Sequence, residues 1–112
     1  MNCKSFSIEY MPIDRLMTEL RFDIASARSL GFELVRLEPV SEDGKMLSKL
    51  RTSVILRLRA LKKEGVIQFF ASERDFKDES TEAVYLLNKY PELEADAVLA
   101  REDALGSIII RL

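Results

Sequence analysis

The sequence predicts one α/β domain over residues 1–112, in the order β-α-β-α-β-α-β-β, with a mostly parallel sheet and a C-terminal hairpin. Three observations predict it. Short stretches with apolar residues at every second position alternate with longer stretches whose apolar residues recur at steps of three and four. Glycine or proline stands at most of the junctions. No Pro/Gly-rich or low-complexity stretch marks a boundary between two cores, and 112 residues suit one.

The elements follow in order. Phe6, Ile8 and Tyr10 alternate with Ser5, Ser7 and Glu9, the pattern of a half-buried strand. Pro12 suits the first turn of a helix whose apolar stripe is Ile13, Leu16, Met17, Leu20, Ile24 and Ala27, and Gly31 suits its end. Phe32 to Leu37 reads as the second strand. Ser41 or Asp43 can cap the next helix, with Leu47, Leu50, Val54, Leu58 and Leu61 on its apolar face and Gly65 closing it. Residues 52–59 carry a β-branched patch, and as a strand they would give a ferredoxin-like α+β sheet. The helix is preferred because Leu, Lys, Arg and Met dominate residues 45–64.

Val66 to Phe70, nearly all apolar, reads as a central strand covered on both faces. Capping residues at 78–81 precede a third helix with Ala83, Val84, Leu86, Leu87 and Tyr90, halted by Pro91. Ala97–Ala100 and Ser107–Arg111 read as the two strands of the hairpin. Such alternation implies right-handed crossovers between parallel strands, the last strand being antiparallel.

Composition excludes more chemistry than it suggests. Histidine is absent, which removes Ser-His-Asp and Cys-His nucleophile pairs, His-containing zinc sites and His acid–base catalysis. One cysteine, Cys3, can complete neither an intrachain disulfide nor a thiolate metal cluster. Residues 1–11 lack the apolar core of a secretory signal and no apolar run is long enough to span a bilayer, so the expectation is a cytoplasmic protein with no membrane association.

Four features bear on function. Carboxylates follow the strands, and Asp43, Asp75, Glu102 and Asp103 would form a hard-metal site for phosphoryl transfer or hydrolysis if they converged; helix capping explains them more simply. The stretch Ser41-Glu42-Asp43-Gly44-Lys45 superficially resembles a phosphate loop, but it lacks the first glycine and has Met46 where Ser or Thr is needed.

Charge is the third feature. Residues 45–63 hold seven cations and no acid, while residues 73–103 hold ten acids against four bases. Projected at 100° per residue, Lys45, Lys49, Arg59 and Lys63 lie opposite the core stripe. They are the candidate nucleic-acid contacts, although no aromatic residue interleaves them for base stacking, and a solvated helix face looks the same. The fourth feature is misplaced apolar residues. Leu56 falls among those cations, Ile55 lies off the stripe, and Phe22 lies opposite the core face of the first helix. Phe22, Ile55 and Leu56 are the candidate interface of a homo-oligomer.

The reading favoured by these residues is a small non-enzymatic protein that acts through protein contacts as a homo-oligomer, without a cofactor. Nucleic-acid binding through residues 45–63 and the carboxylate-metal site are the alternatives.

Overall fold

A computed structural model describes residues 3–8, 12–39, 48–93 and 108–112 of the chain. Phe6 is half-buried between the exposed Ser5 and Ser7, and this alternation builds β1 (Cys3–Ile8). After Pro12 the chain enters α1 (Ile13–Ser29), which buries Leu16, Met17, Leu20, Ile24 and Ala27. Gly31 ends it at φ 84°, with its own N–H on Arg28 O (3.1 Å) and the Phe32 N–H on Ala27 O (2.9 Å). A left-handed residue is required there, and glycine adopts it without a Cβ clash.

That helix stop sets where the next strand begins. The Phe32 N–H belongs to the cap, so β2 (Leu34–Pro39) starts two residues later than the apolar pattern predicts. The same happens after α2 (Ser48–Glu64). Gly65, at φ 80°, and Val66 close α2 onto Lys62 O and Leu61 O, and β3 (Phe69–Ser72) starts three residues late. Residues 52–59 lie within α2, so the ferredoxin-like alternative is ruled out.

Ser72 then begins a helix that periodicity does not reveal, α3 (Glu73–Lys77). A single turn through Asp78 and Glu79 leads to α4 (Thr81–Lys89), capped by the Ser80 hydroxyl accepting from Ala83 N–H at 3.2 Å. A 3₁₀ turn at Pro91–Leu93 follows, and β4 (Ile108–Arg111) is the last described element.

The four strands form one sheet in the order β1-β2-β4-β3. β1 pairs with β2 in parallel, Cys3 opposite Leu34 through Ile8 opposite Pro39. β4 lies between β2 and β3 and runs antiparallel to both, with Ile110 opposite Val35 on one side and Phe70 on the other. Two expectations are thereby corrected. The sheet is mixed, and among the described residues its one parallel ladder is β1/β2. β4 has both edges occupied by β2 and β3, so it does not close a hairpin; the expected partner strand Ala97–Ala100 lies outside the described residues.

The central position also changes hands. The run at 66–70 supplies a strand on the edge of the sheet, and Ile108, Ile109 and Ile110 of β4 are the residues buried on both faces. Ile108 and Ile110 join Val35, Leu37, Val54, Leu58 and Leu61 under α1 and α2. Ile109 joins Leu34, Ala71, Ala83, Leu86, Tyr90 and Leu93 beneath α4 on the other side. The domain is therefore three-layered, two helices over one face and α4 over the other. Among the described residues no helix is long and apolar enough to cross a membrane.

Candidate interaction surface

α1 and α2 run side by side in the same direction. Arg57 reaches Asp14 at 3.2 Å and Arg21 reaches Glu64 at 3.0 Å, and both pairs span 43 residues. Arg28 continues the seam by donating to the Val66 carbonyl where α2 ends. Asp14, Arg21 and Arg28 are spaced by seven, so they share the edge of α1 facing α2. Such exposed pairs contribute at most about 1 kcal/mol each. Their use is to fix the relative orientation of the two helices.

The opposite edge of α1 is held over β1 by Lys4, whose Nζ lies 2.9 Å from Asp23 Oδ1. With its core stripe on the sheet and both edges occupied, α1 has one side left. That side carries Thr18, Phe22, Ala25 and Ser29, all exposed, with Phe22 at 79%. Thr18 turns its hydroxyl back to Asp14 O at 2.9 Å, and the nearby charges Arg15 and Glu19 pair with each other at 3.5 Å. The surface around Phe22 thus combines small uncharged side chains with a mutually paired Arg15 and Glu19 at its margin.

The outer side of α2 differs. Leu56 is 57% exposed there, on the same side as the exposed Arg59 and Lys63. Arg59, Lys62 and Lys63 have no ion-pair partner among the described residues, whereas Arg57 has Asp14. Lys45 and the side chain of Lys49 lie outside the described part of the chain. Ile55, the third residue of the expected interface, is half-buried and packs against the core beneath α1 and α2. It sits at the margin of the α2 stripe, close enough to the sheet to be drawn in.

Of the four candidate carboxylates only Asp75 is described. Asp75 closes a capping box on Ser72: its Oδ2 accepts the Ser72 N–H at 2.8 Å and the Ser72 hydroxyl at 3.0 Å, and its own N–H donates to that hydroxyl oxygen. Asp43, Glu102 and Asp103 lie outside the described residues. Among the described residues there is no cluster of three or more metal-binding side chains.

One polar cluster escaped the sequence reading. Tyr90, only 5% exposed, donates its phenol to Glu33 Oε2 at 2.8 Å, and Arg111 donates to the Glu33 carbonyl at 3.2 Å. Lys89 lies 5.6 Å above the Tyr90 ring and 5.9 Å above Tyr85, whose edge meets Phe69 at 5.5 Å. Burial, then the bond to Glu33, pushes the Tyr90 hydroxyl up to about 12, so it stays protonated and donating at neutral pH. The arrangement ties α4 to the start of β2 and the end of β4. Tyr90 and Glu33 are 57 residues apart, and no local pattern could have joined them.

No known protein family, curated protein or solved structure matches this chain.

Proposed function

We propose that this chain acts through protein contact, and that the outer side of α1, centred on Phe22, binds the same side of a second copy. The observation that supports this is the 79% exposure of Phe22 on a helix whose core stripe and both edges are already engaged. Burying such a side chain contributes roughly 1.5–3 kcal/mol, and a two-fold contact buries it twice. Thr18, Ala25 and Ser29 leave room for a second helix to approach, and the flanking charges Arg15 and Glu19 are already paired with each other. The outer side of α2 suits self-contact less well, because Arg59 and Lys63 flank Leu56 and a second copy would bring two more cations to the same contact. A single cysteine in 112 residues fits a reducing compartment, and the cytoplasm is the location proposed.

Sedimentation equilibrium over a wide concentration range tests the reading. Phe22→Asp should reduce a dimeric mass to that of one chain without loss of helical circular dichroism, and Phe22→Leu should retain the dimer. A wild-type chain that stays monomeric at every concentration, or a dimer indifferent to Phe22→Asp, overturns it.

A second reading is favoured by Arg59, Lys62 and Lys63, which project from α2 without a partner among the described residues. Together with Lys45 and Lys49 they would follow a nucleic-acid backbone through phosphate contacts. Fluorescence anisotropy with labelled duplex and single-stranded probes measures it. Removing Arg59 and Lys63 should weaken binding equally for all sequences and flatten the salt dependence by about one unit of slope per residue. No binding at low ionic strength rejects this reading.

A further inference from the structure

The side of α1 that carries Phe22 changes character along its length. α1 runs from Ile13 to Ser29, so Phe22 stands one residue past its middle. On the N-terminal half this side holds Thr18 and the charges Arg15 and Glu19, which pair at 3.5 Å and stay 70% and 46% exposed. On the C-terminal half it holds Ala25, Ser26 and Ser29, all small and uncharged, with Ala25 and Ser29 exposed and Ser26 half-buried. The helix thus has a charged half and a bare half on either side of one central ring. Its C-terminal end also keeps an acceptor in reserve. The N–H groups of Leu30, Gly31 and Phe32 close the helix onto the Ser26, Arg28 and Ala27 carbonyls, and none of the three takes the Ser29 carbonyl, the last of the helix.

We propose that two copies of α1 pair antiparallel about a two-fold axis at Phe22, with Arg15 of each copy reaching the C-terminal end of the other helix. The pairing rests on the Phe22 contact proposed above, and it adds the orientation of that contact and the residue that selects it. A two-fold axis can run along the helices or across them. Running along them, it makes the pair parallel and sets the charged half of one helix beside the charged half of the other, so that Arg15 meets Arg15 and Glu19 meets Glu19 at the same level. Running across them, it lays the charged half of each helix on the bare half of the other. Arg15 then falls opposite Ser29, and Thr18 lies beside Ala25, which is seven residues on and on the same edge. A guanidinium has five N–H donors, so Arg15 can keep Glu19 and still donate to the Ser29 carbonyl of the second copy. A cation at that position also meets the negative end of the helix dipole. Because Phe22 is central, the antiparallel overlap extends over nearly the whole helix, from Arg15 to Ser29.

Disulfide trapping in a Cys3→Ser background reads the orientation. Chains carrying Thr18→Cys are mixed with mass-tagged chains carrying Ala25→Cys and mildly oxidised. Antiparallel pairing should give mixed covalent dimer several-fold in excess of either homodimer, because it brings these two positions within disulfide reach. Chains carrying Ser29→Cys should trap slowly with themselves, since the two copies of that residue then lie about 21 Å apart along the axis at a rise of about 1.5 Å per residue. Self-trapping of Ser29→Cys as fast as the mixture, or no excess of mixed dimer, overturns the antiparallel pairing. Arg15→Gln should raise the dissociation constant several-fold in sedimentation equilibrium with helical circular dichroism unchanged, and an unchanged constant rejects Arg15 as the orienting residue. The two proposals fail differently. A dimer abolished by Phe22→Asp that does not trap in this pattern keeps the Phe22 contact and loses only the orientation, whereas a chain monomeric at every concentration removes both.

Discussion

Glu79 holds φ 53°, a left-handed backbone that an L side chain adopts at a cost of about 1–2 kcal/mol. Its surroundings explain why it does so. Three of the described helices end in the same way, with two backbone N–H groups folding back on the last carbonyls. At α1 and α2 the left-handed residue is Gly31 and Gly65, and at α3 it is Glu79, with Ser80 N–H on Asp75 O at 3.0 Å. Ser80 must also cap α4, so the turn cannot relax without losing both contacts. Glu79→Gly should therefore raise stability by about 0.5–1 kcal/mol, less than the full strain because glycine loses more backbone freedom on folding. Gly31→Ala should lower stability by about 1 kcal/mol for the converse reason. Urea unfolding of the two variants against wild type measures both, and a destabilised Glu79→Gly would show that the side chain makes a contact worth more than the strain.

At the scale of elements, the sequence was most legible where one residue type had one job. The stripe of α1 and its Gly31 stop are read directly from spacing, since every residue of the stripe is held by the same sheet face. α2 was harder, because Val54 and Ile55 have strand propensity; the leucines at 50, 58 and 61 and the seam to α1 decide in favour of helix. The starts of β2 and β3 were misplaced by two and three residues. Phe32 and Val66 are as apolar as strand residues, and only the hydrogen bonds that close α1 and α2 reveal that their N–H groups are engaged elsewhere. α3 was invisible because five residues are too few for a periodicity to register. Phe22 and Leu56 could be singled out from helical projection alone, which needs no knowledge of tertiary packing. The Tyr90–Glu33 bond could not, because it depends on a strand order that no spacing encodes.

At the scale of the whole molecule, β4 decides how the parts depend on one another. It is hydrogen-bonded to β2 and β3, and its consecutive isoleucines enter both cores, Ile108 and Ile110 beneath α1 and α2, Ile109 beneath α4. Neither layer of helices can keep its packing once β4 leaves, so the two cores should melt in one step. Far-UV circular dichroism reports chiefly the seventeen-residue helices α1 and α2. In a Tyr10→Phe background, tyrosine near-UV signals report the α4 side, where Tyr85 and Tyr90 sit. The two should give superimposable transitions in urea. Ile109→Ala removes side-chain packing only from the α4 side, yet it should shift both signals together, lowering stability by about 2–5 kcal/mol out of the 5–15 kcal/mol usual for a domain. If the tyrosine signal is lost first in that variant while the helical signal keeps its wild-type midpoint, then α1 and α2 with β1 and β2 form a unit that holds together without the other side, and β4 is not the element that couples them.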